Sequence, residues 1–138
     1  TIYAIGDCSW HYNPRYDRHL RLESVQNATD QGKTVAKHIC CKEEPYNTIP
    51  WFWSDQYDVK LQMVGLSDGY YELICRIEQD ESKRSYWYFK SGDLIAVDAV
   101  NSPKAYVLGT KFMKDQSKVN KEVIGDSDVD LKPGNLIS

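Results

Sequence analysis

Three stretches of the sequence carry residue types at spacings that could do chemistry. Ile2-Tyr3-Ala4-Ile5-Gly6-Asp7 reads as a short buried strand ending in a close-approach glycine and a carboxylate. At the carboxyl end of a strand in a nucleotide-binding α/β sheet, such an aspartate can hydrogen-bond a ligand hydroxyl. Leu22-Glu23-Ser24-Val25-Gln26-Asn27 places Ser24 as the cap of a helix. Its first turn, at Val25 and Gln26, offers open backbone N–H groups and partial positive charge to an electron-rich oxygen. Glu23, just before the cap, has a carboxylate that could orient an amide-bearing substrate. Pro50-Trp51-Phe52-Trp53-Ser54-Asp55-Gln56 packs three rings into seven residues. Alternation along a strand sends Trp51 and Trp53 to one side and Phe52 to the other, and an indole beside a cofactor ring supplies stacking area, a fixed N–H donor and exclusion of water.

Each stretch also has a plainer reading: an ordinary strand and turn, a capped surface helix, and a pair of core or interface tryptophans. On residue types alone both sets stand, so the elements that would position these side chains matter. The segment from Cys8 to Arg21 reads as a long polar loop. From Ser24 a helix follows, with Val25, Ala28, Gly32, Val35 and Ile39 at helical spacing forming a small-residue apolar face that should pack closely against a sheet. Cys40 and Cys41 would close it, and 41–48 reads as a linker.

Beyond Pro50 the period changes to two. Val59, Leu61 and Met63 alternate with polar neighbours, as do Tyr71, Leu73, Cys75 and Ile77, and Tyr86–Phe89 and Leu94–Val100 follow with short connections. That is an antiparallel sheet with one wetter face. Asn101-Ser102-Pro103 starts a helix whose Tyr106, Leu108, Phe112 and Met113 can cover the sheet. A short helix near Lys118–Val123 and an extended tail with a left-handed stop at Gly134 complete the chain. The fold class is therefore α+β: an antiparallel sheet with C-terminal helices in residues 49–138, preceded in residues 1–48 by a strand-loop-helix remnant of an α/β domain.

With 138 residues and a net charge of −3, the chain shows no basic footprint for nucleic acid. It has no apolar run of membrane-span length and no signal-peptide pattern at Thr1, which reads as a cytoplasmic protein with no membrane partner. Cys8, Cys40, Cys41 and Cys75 form neither a disulfide framework nor a metal-ligand spacing, so no metal site is expected. His11, His19 and His38 read as surface histidines.

Taken in order and at these spacings, Ile2–Cys8, Arg21–Gln31, Pro50–Gln56, Gln62–Gly69 and Leu94–Pro103 resemble the carboxyl-terminal part of the FAD-dependent, NAD(P)H-using ferredoxin and rubredoxin reductases. The resemblance implies that Asp7 binds the ribityl part of FAD. It implies that the Val25 backbone meets the flavin ring with Gln26 beside it, that Trp53 lies at the flavin edge, and that Glu23 faces the nicotinamide. Residues 49–138 would then be the family's small C-terminal domain, which covers the flavin and helps dock a 2Fe–2S ferredoxin or a rubredoxin, and Lys33 would sit where the family places a basic residue toward that partner. No G-x-G-x-x-G motif follows a strand anywhere in the sequence, so the FAD pyrophosphate and nicotinamide nucleotide sites lie outside it. The chain reads as a fragment of the enzyme, inactive alone and without tightly bound FAD. Its unpartnered apolar surface favours self-association. The competing reading, from another class, is a non-enzymatic interaction module with exposed aromatic residues.

Overall fold

The computed structural model describes residues 2–137, and it divides into two compact units, Thr1–Phe52 and Trp53–Ser138.

In the first unit, residues 2–5 are not a strand: they run without regular structure into a 3-10 turn, Gly6–Cys8. A strand is defined by a hydrogen-bonded neighbour, and none of the described residues provides one here. The expected polar loop contains a small hairpin, β1 (His11–Asn13) paired antiparallel with β2 (Arg18–Leu20), and Asp17 takes the left-handed turn position at φ 48°. Helix α1 (Val25–Ile39) begins where its cap predicts, with the Ser24 hydroxyl accepting from the Asn27 N–H at 3.1 Å. It ends at Cys40, after which Cys41 adopts φ 56° and donates its N–H to the His38 carbonyl, so the two cysteines do close the helix.

The face that α1 buries is a correction to the sequence reading. Val25 and Ile39, 62% and 66% exposed, belong to the expected apolar stripe, whereas Gln26, Asn27 and Gln31 are buried. A polar helix face can be buried when every donor and acceptor on it finds a partner, and the partners are backbone and side-chain groups of this unit, described below.

The second unit carries most of a five-stranded sheet in the order β3 (Trp51–Gln56), β4 (Val59–Gly65), β7 (Asp93–Val100), β6 (Arg84–Lys90), β5 (Glu72–Ile77). The β4–β7, β7–β6 and β6–β5 ladders are antiparallel. Register sets the two faces, because paired residues point the same way. Arg76 pairs with Ser85, Ser85 with Ala99, and Trp87 with both Ile74 and Val97. This is the face covered by α2 (Pro103–Asp115), which lies on β7 and β4, while α3 (Lys121–Ile124) meets β5. Trp87 is fully buried, its ring 6.5 Å from that of Phe112 and its indole N–H donated to Ser85 Oγ at 3.0 Å. Gly109 of α2 sits so close to Val97 that a Cβ there would meet Val97 Cγ2 at 2.6 Å.

On β5 the alternation is present but inverted relative to the helices. Leu73 and Ile77 are 43% and 46% exposed, and the inward residue is Arg76, 2% exposed. All three nitrogens of the planar guanidinium are held. It pairs with Glu78 through Nε–Oε1 at 2.6 Å and Nη2–Oε2 at 3.0 Å, and it donates to the carbonyls of Ile124, Asp126, Ser127 and Val129. The C-terminal segment is thus strapped to the sheet. Val119 and Ile137 form a bridge, and α4 (Pro133–Leu136) replaces the expected extended tail, with Gly134 inside the helix and not in the left-handed region.

Candidate functional site

Gly6 takes φ +75°, a conformation open to glycine at no steric cost, and a Cβ there would stand 3.5 Å from the Ala28 Cβ. The chain therefore passes directly over the first turns of α1 and turns outward into Asp7. The Asp7 carboxylate is exposed and has no hydrogen-bond or ion-pair partner among the described residues. Behind it, Ser24 caps α1 by engaging only the third N–H of the first turn. The N–H groups of Val25 and Gln26 have no intrahelical partner, as the geometry of any helix start requires. The turn that carries this carboxylate is joined to the first turn of α1, where Asn27 Nδ2 donates to the Gly6 carbonyl at 3.4 Å.

The side chain of Gln26 points elsewhere. It is buried, donates to Asp30 Oδ2 at 2.6 Å and Thr48 Oγ1 at 3.1 Å, and accepts the Trp51 N–H at 3.4 Å. What Gln26 offers a ligand is its backbone, while its amide fastens the 48–51 segment to α1. Glu23 is exposed and forms an ion pair with Arg21. Lys33 is exposed and pairs with Asp30 at 3.4 Å. Trp53 is 41% exposed and begins the second unit. Trp51 and Phe52 are 38% and 40% exposed, so Trp51 is not a core anchor.

Sequence reasoning missed a polar network beneath Gly6 and Asp7. Gln31 Oε1 accepts the Gly6 N–H at 2.7 Å and the Ser9 hydroxyl at 2.8 Å. An N–H is an unambiguous donor, so this fixes the amide orientation, and Gln31 Nε2 is the group that meets His11 Nδ1 at 3.1 Å. His11 Nδ1 accepts, and Nε2 carries the proton. That Nε2 is buried without a partner among the described residues, as is the Asn13 amide Nδ2. Asn27, fully buried, donates from Nδ2 to the carbonyls of Gly6 and Leu22 and accepts from the Tyr46 hydroxyl at 3.0 Å. The one sequence signal for this network was amide side chains at 27 and 31, four apart on a helix.

His11, read from the sequence as a surface residue, is partly buried, and both that burial and the nearby His19 lower its pKa from 6.5. The folded pKa lies below the unfolded one, so the unfolded chain binds the proton first as pH falls. Stability is complete above about pH 6.5 and is lost as pH drops through the folded-state pKa. Thermal melting of the wild type should therefore show a lower midpoint near pH 5 than near pH 7.5, and His11→Gln should flatten that difference. An equal acid shift in both proteins would place the titration elsewhere.

In the second unit an open cleft of about 630 Å³ is lined by Arg76, Lys83 and Lys104 but also by Glu78, Asp80, Asp128 and Asp130. These charges oppose one another and select no ligand of either sign. Among the described residues no group of histidine, cysteine and carboxylate side chains could hold a metal, and no helix is long and apolar enough to cross a membrane.

The profile of the family described as "Reductase C-terminal" matches residues 51–134, more than half of the sequence. The chain belongs to that family. It is 42% identical over 132 residues to the ferredoxin reductase subunit of a 5,5'-dehydrodivanillate O-demethylase from Sphingobium sp., covering 95% of this chain and 32% of the relative. It is 39% identical over 131 residues to putidaredoxin reductase CamA from Pseudomonas putida, covering 95% and 31%. Among solved structures, the ferredoxin reductase of the CYP199A2 system from Rhodopseudomonas palustris superposes with a TM-score of 0.86 at 40% identity, over 95% of this chain and 32% of that one. The reductase in a covalent putidaredoxin reductase–putidaredoxin complex superposes at 0.84 and 38% identity, over 92% and 30%. The chain thus spans about a third of the length of these relatives. The α+β reading and the likeness to the C-terminal part of ferredoxin reductases both hold.

The residues present fit one part of an FAD. A partnerless carboxylate beside a glycine-lined turn suits a polyol chain, and an open helix start suits the oxygen-bearing edge of a flavin ring. The dinucleotide's pyrophosphate finds no Gly-rich cradle in this sequence.

Proposed function

We propose that this chain is the C-terminal portion of an FAD-dependent reductase that passes electrons from NAD(P)H to a 2Fe–2S ferredoxin or a rubredoxin. The observation that carries the reading is the free Asp7 carboxylate set against the open first turn of α1. Family membership and the names of the relatives support it. When bound, FAD supplies the redox chemistry, accepting a hydride and releasing single electrons.

The chain's own residues bind, orient and shield. Asp7 accepts hydrogen bonds from ribityl hydroxyls. The N–H groups of Val25 and Gln26 donate to the pyrimidine edge of the ring and favour negative charge there. Glu23, held by Arg21, presents a carboxylate to the nicotinamide amide. Trp53 stacks at the ring edge, keeps water away and forms part of the surface an acceptor meets. Residues 1–48 serve as the remnant of the FAD-binding domain and 49–138 as the covering domain, in a cytoplasmic enzyme. The chain by itself can self-associate through the apolar surface it exposes, including Ile2, Val25 and Ile39.

The test uses the full-length reductase with its two half-reactions resolved by stopped flow. Trp53→Ala is expected to slow reduction of the ferredoxin by about tenfold, equivalent to about 1.4 kcal/mol of barrier, and to slow flavin reduction by NAD(P)H far less. Equal slowing of both halves would remove Trp53 from the exit side. The 138-residue chain alone is expected to lose FAD on dialysis, because the few contacts it retains do not offset the ordering cost of association. Stoichiometric retained flavin would contradict that expectation.

A further inference from the structure

Two buried amides on one face of α1 grip the turn that carries Asp7. Gln31 accepts the Gly6 N–H at 2.7 Å, and Asn27 donates to the Gly6 carbonyl at 3.4 Å and the Leu22 carbonyl at 2.9 Å. The peptide groups on both sides of Gly6 are therefore tied to the same helix, one turn apart. Ser9, just beyond Asp7, is tied as well: its hydroxyl bonds both Gln31 Oε1 and the Gly6 carbonyl. Asn27 also joins Gly6 to Leu22, the chain that leads into the Ser24 cap. Asp7 itself has no hydrogen-bond or ion-pair partner among the described residues, so its position is inherited from this frame.

We propose that Asn27 and Gln31 are positioning residues for the cofactor: they fix the Asp7 carboxylate relative to the N-terminal end of α1 and thereby set the affinity for FAD. The inference rests on the reading of Asp7 as the ribityl ligand. Binding two parts of one ligand at once needs the two groups held at a set spacing before the ligand arrives, and preorganisation of that kind appears as affinity. Tyr46 has a separate part. Its hydroxyl donates to Asn27 Oδ1 at 3.0 Å, which orients the amide so that Nδ2 faces the two carbonyls.

The experiment is FAD titration of the full-length apoprotein by quenching of flavin fluorescence, with thermal melting of each apoprotein measured alongside. Gln31→Met keeps the length of the side chain and removes the acceptor, and Asn27→Asp keeps the acceptor for Tyr46 and removes the donor. Each is expected to raise the Kd about tenfold, as is Asp7→Ala. Because the amides act through Asp7, adding either substitution to Asp7→Ala should raise the Kd by less than about threefold more. Gln31→Glu, which retains an acceptor for the Gly6 N–H, should stay within about threefold of wild type even where its apoprotein melts lower. A full tenfold effect of Gln31→Met or Asn27→Asp in the absence of the Asp7 carboxylate would overturn the proposal, and so would an unchanged Kd in both single variants. If Asp7→Ala alone leaves the Kd unchanged, the ribityl reading falls first and takes the proposal with it. Should Gln31→Met fail to fold, Asn27→Asp with and without Asp7→Ala decides alone.

Discussion

Arg76→Met is expected to destabilise the second unit by about 3–5 kcal/mol, the range for removing one partner of a buried ion pair. The change deletes more than a charge. It strands four backbone carbonyls, at Ile124, Asp126, Ser127 and Val129, and leaves Glu78 without its ion-pair partner. Burying polar groups without partners carries the larger part of the cost. Lysine in place of Arg76 would retain the charge but could not span Glu78 and four carbonyls with a single ammonium, so Arg76→Lys should lose nearly as much. Urea denaturation of the 138-residue chain gives the loss. Hydrogen exchange should show the 124–129 backbone opening well before the sheet in the variant. A loss of under about 1 kcal/mol would mean that the segment is held by its apolar contacts, Ile124 and Leu131, and not by the guanidinium.

This arginine also shows where the sequence was legible and where it was not. The strands of the second unit were readable because alternation, turn residues and the Asn101-Ser102-Pro103 helix start all point to the same elements, and the structure has them as β4 to β7 and α2. The direction of each face was not readable on β5, because both sets of side chains are compatible with burial. Tyr71, Leu73, Cys75 and Ile77 look like a core face, yet the helices lie over Ile74 and Arg76. A charged residue can hold an inward position only when something distant in sequence completes its hydrogen bonds, and here that something lies some fifty residues downstream, at Asp126 and beyond.

The candidate site divides the same way. Gly6-Asp7 and the Ser24 cap were legible, because a glycine at positive φ and a capping hydroxyl are local requirements. The strand before them was not, since a strand depends on its neighbour. The buried face of α1 was misjudged for a related reason. Its apolar positions at Val25 and Ile39 remain exposed, and its polar ones at Asn27 and Gln31 bond backbone groups whose proximity no periodicity reveals.

The close approach of α2 to the sheet leads to the second large effect. Gly109→Leu is expected to cost roughly 3 kcal/mol or more, because the helix and β7 leave no room for a side chain. A Cβ at Gly109 would sit 2.6 Å from Val97 Cγ2 and 2.9 Å from Val97 Cβ, and Val97 is fully buried with nowhere to move. Gly109→Ala should lose less. Alanine gains about 1 kcal/mol of helix propensity over glycine, but the shift of α2 that it forces also disturbs Phe112 and Met113, both buried on the same helix. Shrinking the opposing residue separates steric conflict from any other role of the glycine. Val97→Ala removes both Cγ atoms that a Cβ at Gly109 would meet and leaves the Cβ–Cβ approach of 2.9 Å, so it opens space on its own and relieves Gly109→Ala in part. The double variant should then be more stable than the sum of the single losses predicts, by about 0.5–3 kcal/mol in urea midpoints at unchanged slope. Strict additivity would show that α2 can move off β7 freely, and that the contact at Gly109 does not set the position of the helix on the sheet.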